Sequence, residues 1–256
     1  MLRAVIFDLD DTLLDWSNRT GDWEAISRGH IRPVYDHVSK TVHPMPPLDE
    51  FHSAFSSSLR DRWQGVGPPE WNSPHHRDVL RQTLQRVSLD PANIDLDRCL
   101  QLYGWEAIPG VRPFPYVHGV LGALRAAGVL LGLITNSSMP MWLRDRELET
   151  FGLRRYFAAR ITAADVGKLK PHPLPFQHVL AELRAEPNQA LVVGDRLRDD
   201  IAGAHNAGLR GVWSRNPYNE QSDNTKPDAT IDSLADLLAL LDEWHPGWRG
   251  NGSRST

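Results

Sequence analysis

Short apolar runs recur along the chain, and several of them break into polar groups at their carboxyl ends. Ala4–Phe7 (AVIF), Val129–Ile134, Ala158–Thr162, Ala190–Val193, Arg210–Ser214 and the short ATI at Ala229–Ile231 read as strands of a buried sheet. Helical patterns lie between them: Pro115–Ala127 closed by Gly128, Met141–Phe151, Leu174–Ala185, a helix running to Ala207, and a capped last helix over Ser233–Leu241. Strand and helix in alternation predict an α/β fold, a doubly wound parallel sheet with right-handed crossovers. From Trp16 to about Trp105 the strand signals vanish. That segment predicts helices at Asn18–Ser39, Leu48–Trp63, His75–Val87 and Leu96–Trp105, divided by HPMPP and GVGPPEWNSP. The expected organisation is an α/β core of residues 1–15 and 107–245, a helical cap of residues 16–106 sitting over the first strand's end, and a disordered tail over 246–256.

Composition narrows the partners. A formal charge of −4 and a pI near 6.2 offer no electrostatic footprint for nucleic acid or an anionic membrane. The most apolar stretch, Val117–Ile134, is interrupted by Arg125 and by glycines, which argues for helix, turn and strand rather than a membrane span. With no basic region leading into a long apolar stretch at the start, the default location is cytoplasmic. The single cysteine, Cys99, excludes an internal disulfide framework and fits a small buried apolar residue. Oligomeric state is left open.

The chemistry concentrates at strand ends. Asp8, Asp10 and Asp11 put three carboxylates within four residues directly after the first strand. Like charge packed so densely at the carboxyl edge of a parallel sheet needs a cation, and a hard, oxygen-seeking ion such as magnesium is the natural partner. Asp8 and Asp10, two apart in extended chain, share a side and suit the roles of nucleophile and proton donor. Thr135 with Asn136 offers a hydroxyl, an amide and backbone N–H groups suited to a phosphate oxygen. Lys168 or Lys170 offers a mobile positive charge, and Asp195 with Asp199 or Asp200 offers further oxygen ligands. Each has an ordinary structural explanation as a cap, a solvated charge or a turn; their convergence at successive strand ends does not. Trp23, Trp63, Trp71 and Trp105 read mainly as packing within the insert, and Arg144, Arg146, Arg154 and Arg155 as a solvated face. His75 and His76, adjacent rather than helically spaced, do not suit zinc.

The ordered segments DLDDT, TN, KPHP and GDRLRDDIAGAHNAG resemble the four motifs of the haloacid dehalogenase superfamily of hydrolases, and the insert between the first two resembles its helically capped subfamily. The resemblance implies a magnesium-dependent phosphatase acting on a small phosphorylated metabolite through an aspartyl-phosphate. In that scheme Asp8 is the nucleophile and Asp10 the acid and base. Thr135, Asn136 and Lys170 bind the phosphoryl oxygens, and Asp8, the Asp10 backbone carbonyl, Asp195 and Asp200 hold Mg2+. Lys170 is preferred to Lys168 because it precedes Pro171, and Asp200 to Asp199 because DIAGA follows the family pattern. The family's frequent glycine after the second aspartate is Asp11 here, His172 replaces the frequent aspartate after KP, and Arg196 replaces the frequent serine after GD. A phosphomutase or dehalogenase of the same superfamily is the alternative, and a phosphate-accepting signalling module a more distant one.

Overall fold

The structure is a computed structural model and describes residues 2–42, 44–215 and 224–249. In chain order its strands and α-helices are β1 (Ala4–Phe7), β2 (Leu14–Asp15), α1 (Trp23–Val38), α2 (Leu48–Trp63), α3 (His76–Arg86), α4 (Leu96–Leu102), β3 (Arg112–Pro113), α5 (Val117–Ala126), β4 (Leu130–Thr135), α6 (Met141–Thr150), β5 (Ala159–Thr162), α7 (Ala163–Val166), α8 (Leu174–Leu183), β6 (Ala190–Gly194), α9 (Ala202–Asn206), β7 (Arg210–Ser214), β8 (Ala229–Ile231) and α10 (Asp236–Trp244). The six longer strands form one parallel sheet in the order β5, β4, β1, β6, β7, β8, the doubly wound α/β arrangement expected. β1 is fully buried at the centre. Ala4 to Phe7 sit opposite Leu130 to Leu133 on one side and Ala190 to Val193 on the other, so the ends of β4, β1 and β6 deliver Thr135, Asp8 and Asp195 side by side.

The two sheet faces are covered differently. On one, Ile6, Ile134 and Val192 pack against Phe176, Val179 and Leu183 of α8. The approach is close enough that a Cβ on Gly132 would lie 2.6 Å from Val179 Cγ1, so β4 needs a residue without a side chain there. On the other face, Val5, Phe7 and Leu133 join a cluster that runs without a break into Ile31, Phe51, Phe55 and Leu80 of the inserted helices. Each fully buried side chain of this kind is worth about 1.5–3 kcal/mol, and the insert therefore shares its packing with the sheet.

Polar contacts fasten the insert as well. Leu169 N–H donates to Trp71 O at 2.8 Å, Ser73 N–H to Gly167 O at 3.0 Å and His76 N–H to Ser138 O at 2.8 Å. Lys168 Nζ donates to Glu70 O at 2.6 Å and Asn72 Oδ1 at 2.9 Å.

Several boundaries differ from the sequence reading. α1 begins at Trp23, where Asp22 accepts from Glu24 N–H, and α4 stops at Leu102. Leu14 and Asp15 pair antiparallel with Arg112 and Pro113, a two-residue ladder too short for any periodicity to announce. Between β6 and α9 the chain passes through a π-helical turn, Leu197–Ile201. The last helix starts at Asp236 because Asp236 accepts from Ser233 N–H and holds the preceding residues in a turn. The tail is ordered further than expected: Trp248 is buried, its indole N–H donates to Asp242 at 2.8 Å, and Arg249 pairs with the same carboxylate. Residues 250–256 lie outside the described residues.

Candidate active site

Asp8 leaves β1 with its N–H still bonded to Val193 O at 2.9 Å, which fixes its backbone to the neighbouring strand. Its side chain is buried, and Lys170 Nζ donates to it at 2.6 Å while donating to Asp200 at 2.6 Å and to Ile134 O at 3.1 Å. Asp195 follows β6, accepts from Thr12 Oγ1 at 3.4 Å, and its carbonyl accepts from Trp213 Nε1 at 2.8 Å. Asp200 lies in the π-helical turn and accepts from Arg196 N–H at 2.9 Å. It can pack there only because residue 194 is glycine, since a Cβ would overlap the Asp200 carboxylate.

Asp8, Asp195 and Asp200 each place a carboxylate oxygen within 4.8 Å of the others'. Burial pushes the Asp8 carboxyl well above the usual range; Lys170 opposes that, and Asp200, Asp195 and Asp10 reinforce it. Lys170 has the reverse balance: burial works against its charge, but Asp200 and Asp8 hold its pKa above the ordinary lysine value. One ammonium inside the cluster and the Arg196 guanidinium beside it, shared with Asp199, leave these carboxylates short of positive charge. Three buried oxygen ligands with that deficit fit a hard divalent cation.

Asp10 occupies a separate set of contacts. Arg144 donates to its Oδ1 at 2.8 Å, Trp16 Nε1 to the same oxygen at 2.9 Å, and Thr135 Oγ1 to Oδ2 at 3.1 Å. Burial alone would raise its pKa, but the Arg144 guanidinium and these hydrogen bonds outweigh it and hold the group below the usual carboxylate range. Arg144 corrects the reading of the arginines as a solvated face. It is 4% exposed, its Nε donates to Glu147 at 2.8 Å, and the same Glu147 oxygen accepts from Trp105 Nε1 at 2.8 Å. Arg146, Arg154 and Arg155 do lie at the surface.

The two lysines are sorted by position: Lys170 is inside the acidic cluster, while Lys168 reaches Glu70 and Asn72 of the insert. Asp199 lines the pocket and pairs with Arg198 at 2.7 Å rather than joining Asp8. Asn136 lines the pocket with its amide already engaged: its Nδ2 donates to Lys170 O at 3.0 Å and its Oδ1 accepts from Lys170 N–H at 2.8 Å, so it clamps the lysine's backbone. A pocket of about 360 Å³ opens above Asp8, Asp10, Thr135 and Lys170, walled by Trp63, Val66 and Trp71 from the insert, with Arg198 stacked over Trp71 at 5.4 Å. Trp105 packs as expected, but Trp63 and Trp71 belong to this wall.

The description "Hydrolase: haloacid dehalogenase-like hydrolase" matches residues 2–208, and the chain belongs to that family. It is a hydrolase of the family's phosphatase type. A glyceraldehyde 3-phosphate phosphatase of Methanopyrus kandleri is 29% identical over 248 residues, covering 95% of this chain and 98% of its own. A phosphoglycolate phosphatase of Salmonella paratyphi A is 37% identical over 174 residues, 64% of this chain and 68% of its own. Among solved structures, a 2-haloacid dehalogenase from Pseudomonas syringae pv. Tomato superposes with a TM-score of 0.62 at 28% identity, covering 95% of this chain and 100% of that one. A HAD phosphatase from Thermococcus onnurineus gives 0.59 at 25% identity, covering 94% and 98%. Among the described residues no helix is long and apolar enough to cross a membrane.

Proposed function

We propose that the chain is a magnesium-dependent phosphatase that hydrolyses a small phosphorylated metabolite through a phosphoryl group carried on Asp8. The observation behind this reading is the pairing of a buried, cation-seeking Asp8 with a second carboxylate, Asp10, that has its own partners and is free of the Lys170 contact. Asp8 Oδ is the nucleophile, and Lys170 both orients it and neutralises phosphoryl oxygens. Thr135 Oγ1, beside Asp10, and the backbone around Asn136 receive the remaining oxygens. In the first half Asp10 passes to the departing alcohol a proton taken from the monoanionic phosphate ester, which leaves it ionised, the form Arg144 favours; in that form it takes a proton from the water attacking the acyl-phosphate. Mg2+ would be held by Asp8, Asp195 and Asp200, with the Asp10 backbone carbonyl, and when bound it supplies charge neutralisation at the transferring phosphoryl group. A dehalogenase reading gives Asp10 no task, because displacement of halide from carbon needs no acid.

The test is inorganic phosphate release from a panel including phosphoglycolate and glyceraldehyde 3-phosphate, with magnesium and with chelator, in the wild type and in Asp8→Asn. Turnover that needs magnesium and drops by at least about a thousandfold in the variant is expected. Undiminished turnover by Asp8→Asn would overturn the assignment.

A further inference from the structure

A second cavity, about 590 Å³ against about 360 Å³ for the active-site pocket, lies between α1, α2 and the segment that follows Thr135 and Asn136. Trp63 belongs to the walls of both, and Ser138 and Met139 carry the same loop from one into the other. Two buried polar side chains line it without a partner. The His30 ring, 5% exposed, touches Tyr103 and Trp105 at centroid distances of 5.8 and 5.1 Å, yet among the described residues its nitrogens make no hydrogen bond. The hydroxyl of Tyr103, 4% exposed, has none either. Neither group's polar atoms are fully enclosed by protein, so they open onto the cavity, where a ligand can take their hydrogen bonds in place of water. Glu24 and Arg60 bring the cavity's charge, and its histidines favour the neutral form. Burial lowers the pKa of His30 and of His52, and takes that of His76 to about 3.

We infer that this cavity receives the alcohol portion of the substrate, and that this alcohol bears a planar ring with hydrogen-bonding groups, as in a nucleoside monophosphate or a phosphorylated aromatic alcohol. The inference rests on the phosphatase reading. Its physical content is a match: aromatic faces at Trp63, Tyr103 and Trp105 for a ring, and His30 and Tyr103 for its polar edge. A two- or three-carbon phosphate would leave both groups unpaired.

Phosphate release is compared for nucleoside 5′-monophosphates, 4-hydroxybenzyl phosphate, phosphoglycolate and glyceraldehyde 3-phosphate. The comparison is repeated in Ser56→Trp, which fills the cavity from α2, and in Ser53→Trp as a second filling variant should the first fail to fold. The ring-bearing substrates are expected to lead in kcat/KM by at least about tenfold, and the filled variants to lose that lead while keeping phosphoglycolate turnover within about twofold. A lead for the small acid phosphates, unaffected by filling, would overturn the inference and leave the phosphatase reading standing. Calorimetry with the free nucleosides and 4-hydroxybenzyl alcohol, which have no phosphate to lose, reads the cavity independently. Binding abolished by the filled variants supports the inference even if no phosphate is released, and absence of binding by every ring compound overturns it. Nucleosides binding more tightly than the aromatic alcohol assign His30 and Tyr103 to the ring's polar edge.

Discussion

The carboxyl edge of the sheet and the insert above it face one opening but are built on opposite terms. Asp8, Lys170, Asp195 and Asp200 are held in place by strand ends and by charge, each buried and each positioned by a hydrogen bond from a neighbouring element. Trp63, Trp71, His30 and Tyr103 bring rings and neutral polar groups, on helices and on a proline-rich connection. Charge acts at the reacting phosphoryl group, where its stabilisation grows as the transition state forms. The insert contributes shape and hydrogen bonding, which discriminate among substrates without changing the chemistry. Substitutions on the two sides should accordingly fail in different ways.

The sharpest break in the comparison is between two lysines two residues apart. Lys170→Ala removes the only ammonium from the acidic cluster of described residues and should lower phosphate turnover roughly a hundred- to a thousandfold. Lys168→Ala loosens contacts to Glu70 and Asn72 and should leave kcat within about threefold, because a partly exposed pair contributes little. Steady-state kinetics on the pair checks both; equal losses would erase the distinction between catalytic charge and insert tether.

Arg144 links the two sides, through Asp10 on one hand and through Glu147 and Trp105 on the other. Arg144→Met strands a fully buried Glu147, one of whose oxygens already lacks a partner, and should cost about 3 kcal/mol in denaturant unfolding. Turnover should fall roughly ten- to a hundredfold as Asp10 loses its orientation. Adding Glu147→Leu should restore stability without restoring turnover, which separates the burial of charge from the positioning of Asp10.

A smaller effect belongs to the neutral wall. His76 is buried, with Nδ1 3.0 Å from Ser138 Oγ, and burial, with His75 nearby, takes its pKa from 6.5 to about 3. Below pH 6.5 the unfolded chain accepts a proton that the folded chain refuses. The stabilisation is therefore complete above 6.5 and is lost at about 1.4 kcal/mol per pH unit on acidification, until His76 itself protonates near 3. Thermal unfolding followed from pH 7 to pH 4 should show a flatter acid limb in His76→Gln than in the wild type.

How much of this could be read from the chain follows the same division. The sheet announced itself because apolar runs such as AVIF and LLGLIT end abruptly in Asp8 and Thr135, a local signal that needs no tertiary partner. Asp195, which ends the run ALVVG, was legible for the same reason, whereas Asp200 was separated from Asp199 only by the resemblance of DIAGA to the family pattern. Arg144 was not. In MWLRDRELET charges fall on every face of α6, so periodicity describes a solvated helix; burial comes from Trp105, 42 residues before Glu147, and Asp10, 134 residues before Arg144. The role of Asn136 as a clamp on Lys170 was hidden likewise, since an amide after a strand looks the same whether it faces a ligand or a loop. For Trp63 and Trp71, composition gives bulk but no direction; Trp63 is set by the end of α2, and the pairing of Trp71, Asn72 and Ser73 with Gly167, Lys168 and Leu169 holds Trp71 over the pocket.

The measurement that bears most directly on the account is the location of the phosphoryl group during turnover. Enzyme turning over p-nitrophenyl phosphate, whose leaving group departs without an acid, then acid-quenched, digested and weighed by mass spectrometry, should carry phosphate on the peptide containing Asp8, with the amount rising in Asp10→Asn, where water lacks its base. Phosphate released steadily with no phosphorylated Asp8 peptide in either protein would contradict it.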